Sequence, residues 1–201
     1  MIQAHALAAV YDGPIDTNGY AYQPVILEKL PSLTDGDAQL VPVSVYVGDE
    51  VVDADNVPVT LAPGVRVRPA GCRSADCAIV YDGTAEIQMD QMVVNFRLRP
   101  GLTWSDGVPL TAYDSVYAYL LAANPHLPGS KYLTDRTRAY EATDELTVQW
   151  WGKPGYIEAK RLLAFLEWFE PIPADLIPDT SILREFLGKS GLEHFEPWGR
   201  R

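Results

Sequence analysis

Between Asn95 and Leu121 the chain reads NFRLRPGLTWSDGVPLTAYDSVYAYLL, and its apolar positions change period part-way along. Asn95, Arg97 and Arg99 alternate with Phe96 and Leu98, the period of two that marks a half-buried strand. Pro100-Gly101 ends that run. Trp104-Ser-Asp-Gly107 predicts a turn in which Gly107 takes a positive φ. Thr111 then offers its hydroxyl to the amide of Asp114 three residues on, and the Asp114 carboxylate falls in the positive field of the first helical turn. Val116, Tyr117, Leu120 and Leu121 recur at one-turn spacing, so a helix is predicted over Thr111–Ala123.

Further short helices are predicted over Tyr22–Leu30, Ile157–Phe169 and Ser181–Leu187. Gly188 serves as a helix C-cap after the last of these. Between Val43 and Glu86, Val51, Val52, Val57, Val59, Val65 and Val67 flank Asp53–Asn56 and Ala62-Pro-Gly64. That pattern predicts β-hairpins with polar or Pro-Gly tips. No regular strand and helix alternation appears, so the sheet should be antiparallel or mixed and the fold class α+β.

The block LRPGLTWSDGVPLTAYD, Leu98–Asp114, resembles the extracellular solute-binding protein family 5, the peptide, dipeptide and nickel receptors of ABC importers. Tyr113 departs from the acidic residue usual there, on an exposed first turn. YQPVILEKLPSLTDGDAQLVPV, from Tyr22 to Val43, is similar to the family's early segment. YEATDELTVQWW, from Tyr140 to Trp151, is similar to its second strand pair, with acidic residues in the turn. PGYIEAKRLLAFLEWFEPIPADLI resembles the helix that packs back on the sheet. Residues 43–86 fit the family pattern worst and read as a β-rich insertion on one lobe.

The resemblance implies a mixed-sheet lobe of a periplasmic-binding-protein type II-like fold. It makes residues 1–201 a partial lobe I, with 178–201 a tail that is either non-native or the start of the crossover. Such receptors hold a peptide or related small solute between two lobes and present the closed form to a membrane permease. The implied protein has no catalysis and no cofactor, and is extracellular or periplasmic, lipoprotein-tethered at full length. The second lobe lies outside these residues. By position relative to the matched blocks, Tyr11 and Asp12 before the first helix and Lys131 and Tyr132 after the signature helix line the cleft. Asp12 would pair with an ammonium and Tyr132 would stack or donate a hydrogen bond. Trp104, Asp106, Gly107, Thr111 and Asp114 are assigned to folding. The competing reading is a secreted interaction or sensing module that kept the lobe, lost the cleft and uses the insertion around Cys72 and Cys77.

Composition narrows the classes. The 201 residues carry 16 Lys plus Arg against 27 Asp plus Glu, a net charge of -11, which leaves no basic stripe for nucleic acid. No window of eighteen apolar residues exists. The opening MIQAHALAAVYDG lacks the basic start and longer apolar core of a signal peptide, so the natural N-terminus is expected to lie upstream. Cys72 and Cys77, the only cysteines, read as a disulfide of an oxidising compartment, with free thiols or half a metal site as the alternatives. A metal site needs four ligands, and His5, His126 and His194 have no ligand spacing. Gly188-Lys189-Ser190 lacks the glycine of a phosphate loop five positions upstream. Glu167 with Glu170, and Asp144 with Glu145, read as solvated surface and not as an acid and base pair.

Overall fold

A computed structural model describes residues 15–18, 21–104 and 106–157. All of them fall in the first of two compact units, Met1–Glu170. In chain order the strands are β1 (Ile15–Asn18), β2 (Ala21–Pro24), β3 (Ala38–Val45), β4 (Glu50–Val52), β5 (Pro58–Thr60), β6 (Arg66–Val67), β7 (Ile79–Val80), β8 (Ile87–Arg97), β9 (Thr137–Ala142) and β10 (Thr147–Gly152). A single α-helix among the described residues, α1 (Ala112–Ala123), follows β8, and a 3-10 turn (Thr134–Arg136) precedes β9. The α+β class follows directly.

The main sheet has the order β3-β8-β10-β9, with antiparallel neighbours throughout. β8 is its spine. Met92, Val94 and Phe96 point to one face, where they join Ala38, Val148, Trp150 and Tyr140 in a core covered by Val116, Ala118 and Ala112 of α1. Trp150 is fully buried. Its indole N–H donates to Thr137 Oγ1 at 2.9 Å and its ring meets Tyr156 edge-on at 6.2 Å. Truncating a tryptophan packed this way costs about 3 to 5 kcal/mol.

The other parity of β8 serves a second core. Met89 lies there fully buried, with Val45, Val51, Leu61, Val67 and Tyr81 around it. Residues 43–86 therefore pack on the first half of the sheet instead of standing apart from it. The Asp53–Asn56 tip forms as the sequence predicts, with β4 and β5 paired across it and Asn56 at φ 63. The Ala62-Pro-Gly64 turn also forms, closed by the Val65 amide on Ala62 O at 3.1 Å. Its far strand pairs differently from expectation: β6 takes β7 as partner, across the Cys72–Cys77 loop.

The helix expected over Tyr22–Leu30 is absent. Residues 21–24 form β2, and the following apolar run lies against the end of β8: Leu27 bridges Leu98, Glu28 N–H donates to Arg97 O at 2.9 Å, and Arg99 N–H donates to Ile26 O at 2.8 Å. Pro24 disfavours helical dihedrals at Gln23 and supplies no amide of its own, which explains the outcome. The helices expected over Ile157–Phe169 and Ser181–Leu187 lie outside the described residues.

One close approach locks the two cores together. The Gly155 amide donates to Asp90 O at 2.8 Å and Val52 N–H donates to Pro154 O at 2.8 Å. A Cβ on Gly155 would sit 2.2 Å from Val52 O and 2.7 Å from Met89 Cε, and its φ of +90° belongs to glycine.

Candidate functional site

The sheet face turned away from α1 is covered by residues 43–86 over its first half and, among the described residues, open beyond it. Where the cover ends, Val43, Gln91, Arg138, Ala139, Glu141 and Trp151 line a depression of about 360 Å³. Strand alternation sets this lining, since Trp151 pairs with Val93 on one side and Ala139 on the other while Trp150 points to the core. A bulge does the rest: the register shifts between Trp151 and Gly152, leaving Arg138 without a paired partner beside Ala139. Gln91 is buried and its side-chain N–H donates to Gly152 O at 2.8 Å. Beyond the Val93–Trp151 pair, outside the depression, Gln149 Nε2 donates to Asn95 Oδ1 at 2.8 Å. The lining thus includes one fixed amide, Gln91, a half-buried indole, and one cation and one anion at exposed positions.

The sequence-predicted residues occupy other places. Tyr11 and Asp12 lie outside the described residues. Lys131 folds back on the helix end, where its ammonium donates to Ala122 O at 2.5 Å and Asn124 O at 2.7 Å. It satisfies carbonyls that α1 leaves open and complements the negative end of the helix. Tyr132 carries the guanidinium of Arg136 over its ring at 3.7 Å, and its carbonyl accepts from Arg136 Nη1 at 2.8 Å. Arg136 also donates to Asn56 O, so this cluster ties the tip of the β4–β5 hairpin to the segment before β9.

The signature side chains are engaged in local structure. Gly107 N–H donates to Trp104 O at 2.9 Å with Gly107 at φ 87, and Asp106 Oδ1 accepts the Val108 amide at 3.0 Å. Asp114 Oδ2 accepts both the amide and the hydroxyl of Thr111, at 2.7 and 3.0 Å, and the Asp114 amide donates to Thr111 O at 3.2 Å. Cys72 and Cys77 are joined in a disulfide. The loop so closed brings Arg73 onto the buried carboxylate of Asp90, which also accepts the Gly71 amide at 2.7 Å.

Residues 79–181, just over half of the chain, match the family described as bacterial extracellular solute-binding proteins, family 5 Middle. The chain belongs to that family. The matched stretch takes in β8, the signature turn, α1, β9 and β10, and so every lining residue of the depression except Val43. Among solved structures, the family 5 chain is similar to the oligopeptide binding protein from Thermus thermophilus complexed with pentapeptide, at 14% identity and a TM-score of 0.47. The match covers 98% of this chain and 24% of that one, so the chain spans about a quarter of that protein's length. A search of the curated proteins finds no match.

Among the described residues no three His, Cys, Asp or Glu side chains converge as a metal site, and no helix is long and apolar enough to cross a membrane. The depression was not foreseen from sequence, although its signal was present. Glu141 alternates with buried Tyr140, and Gln149 and Trp151 alternate with buried Val148 and Trp150, so polar and aromatic residues share the outward face.

Proposed function

We propose that this family 5 chain is part of lobe I of the extracellular receptor of an ABC importer. In this reading the lobe is periplasmic-binding-protein type II-like and holds a peptide or related small solute against a second lobe. Residues 43–86 are its β-rich insertion and 178–201 a tail, non-native or the start of the crossover. The receptor is exported, is tethered as a lipoprotein, and delivers its solute to the membrane permease. Catalysis has no part in it. Membership of the solute-binding family, carried by the stretch 79–181, is the observation that supports this reading most.

A ligand shifts the open and closed states only by its differential affinity for them, so closure requires contacts from both lobes. Tyr11, Asp12, Lys131 and Tyr132 are the proposed contacts from this side, Asp12 for an ammonium and Tyr132 for stacking. Lys131 and Tyr132 are adjacent and half-buried at the end of α1. The test is a titration of the longer protein containing both lobes against mixed peptides, followed by tryptophan emission. A saturable shift, weakened by Asp12→Asn, is the expected result. No response to peptides, sugars or metal chelates would sink the reading.

A further inference from the structure

Asp90 is a buried charge that the receptor reading does not use. Its side chain is 6% exposed, and its backbone carbonyl accepts the Gly155 amide that joins the two cores. A carboxylate this deep is costly unless it is paired and hydrogen-bonded. Its partners come from one short segment: the Gly71 amide at 2.7 Å and the Arg73 guanidinium. The same segment makes two more contacts across the junction. Ala70 N–H donates to Gln88 O at 2.7 Å, and Arg68 Nη2 donates to Gly155 O at 3.0 Å. Residues 68–73 thus form a strap over β8 and Gly155, and the far end of the strap is tied down by the Cys72–Cys77 bond.

Residues 73–77 are exposed, and the other ties within the loop are local or exposed: the Ala78 amide on Ala75 O at 3.3 Å and Arg66 Nη2 on Ala75 O at 2.7 Å. The ion pair is lopsided, since the Arg73 side chain is 49% exposed against 6% for Asp90. Once released, the arginine recovers its hydration, whereas the carboxylate is left buried on one amide and has to shift toward water. The Asp90 carbonyl that holds Gly155 shifts with it. A plain staple acts through the unfolded chain. This bond also sets the cation paired with a buried charge.

We propose that Cys72–Cys77 is a redox latch: closed, it keeps Arg73 on Asp90 and residues 153–156 seated against β8; opened by a dithiol, it frees the strap and loosens 153–156 while the main sheet stays paired. Cys77 is exposed and Cys72 buried, so the Cys77 sulfur is the one a thiolate reaches. Attack there forms a mixed disulfide and expels Cys72 as a thiolate, which takes a proton. The second thiol of the reductant then attacks its own sulfur in the mixed disulfide and expels Cys77, which is protonated in turn. The reductant leaves as a cyclic disulfide, having given the protein two electrons and two protons. No property of the solute enters, so the latch and the receptor reading fail separately.

The test is residue-resolved amide exchange on the 201-residue chain, oxidised, reduced with dithiothreitol and reoxidised, for the parent and for Arg73→Gln. Alkylation and mass measurement report the state of the cysteines. Arg73 is exposed, so the variant retains the fold, which circular dichroism checks. In the parent, reduction should speed exchange at Gly155 and Val52 about tenfold, the weight of a hydrogen bond to a charged group discounted for the exposure of Arg73. Reoxidation should reverse it. Val148 and Trp150, paired in the sheet, should change by less than about twofold. Arg73→Gln should show the faster exchange while still oxidised, and reduction should add little to it. A uniform rise along the chain marks a plain staple and overturns the latch. A rise at 153–156 that Arg73→Gln does not reproduce, no change on reduction, or a bond that dithiothreitol leaves intact in the folded chain overturns it as well.

Discussion

Replacing Gly155 by alanine tests whether the junction between the two cores contributes to stability. The new Cβ meets a backbone oxygen, Val52 O, at 2.2 Å, and the methyl of Met89 at 2.7 Å. Met89 could turn aside, but Val52 O is fixed in the β4–β5 hairpin. Relief requires residues 154–156 to move, which breaks or stretches the Gly155–Asp90 and Val52–Pro154 hydrogen bonds. The left-handed backbone adds about 1 to 2 kcal/mol for a residue with a side chain. Overpacking adds about 1 to 3 kcal/mol, and one lost net hydrogen bond about 1 kcal/mol. The expected loss is about 4 kcal/mol. Gly107→Ala is the matched control: its φ is +87° with nothing within 4 Å of the added carbon, so only the backbone term applies. In thermal unfolding followed by circular dichroism, about 2 to 4 °C per kcal/mol places Gly155→Ala at a loss of about 8 to 16 °C. The control should lose less than half of that. Equal losses would show that the close approach of 154–156 to Val52 is not a tight one, and would refute the reasoning.

Three further outcomes follow from the same structure. Converting both Cys72 and Cys77 to serine should lower stability by about 2 kcal/mol on loop entropy. Because that loop presents Arg73 to Asp90, Arg73→Gln should cost less in the serine background than in the parent; strict additivity in a urea double-mutant cycle would contradict the coupling. Tyr140 is buried with its hydroxyl 2.6 Å from Ser115 Oγ, and desolvation raises its pKa well above the phenol's usual value. The folded chain keeps a proton that the unfolded chain releases, so this contribution is intact below about pH 10 and lost as pH rises beyond it. Tyr140→Phe should flatten that alkaline decline, and an unchanged slope in denaturation between pH 9 and 11 would count against the assignment. Lys131→Met should release Ala122 O and Asn124 O and cost about 1 kcal/mol, with faster amide exchange confined to the last turn of α1.

The parts of the fold legible in the sequence are those written in local chemistry. The strand through Phe96, the Trp104–Gly107 turn, the helix from Ala112 and the β9–β10 pair each depend on residues within a few positions of one another. The Asp53–Asn56 tip is of the same kind. Tyr22–Leu30 misled because a short apolar run has no period that separates strand from helix. What decides there, together with Pro24, is pairing with the end of β8 at Leu98, some seventy residues away. β6 pairs with β7 and not with β5, across the Cys72–Cys77 loop, a choice that the Ala62-Pro-Gly64 turn signal alone does not reveal. The depression was harder still, for its residues come from β3, β8, β9 and β10 and its rim depends on a bulge that no single strand announces. Lys131 and Tyr132 could be placed near the end of the helix, but their actual partners, helix carbonyls and Arg136, belong to the packed state.

The sharing of β8 between two cores bears on how the protein comes apart. Met89 and Met92 stand three residues apart on one uninterrupted backbone, each in a different apolar cluster, so neither cluster can dissolve without loosening the strand that organises the other. Excision of residues 49–82 would uncover Met89 and Val45 and fray the same strand that carries the signature helix. Residues 43–86 therefore belong to a single cooperative unit with the rest of the sheet, and native-state amide exchange along β8 should report one shared opening event instead of two.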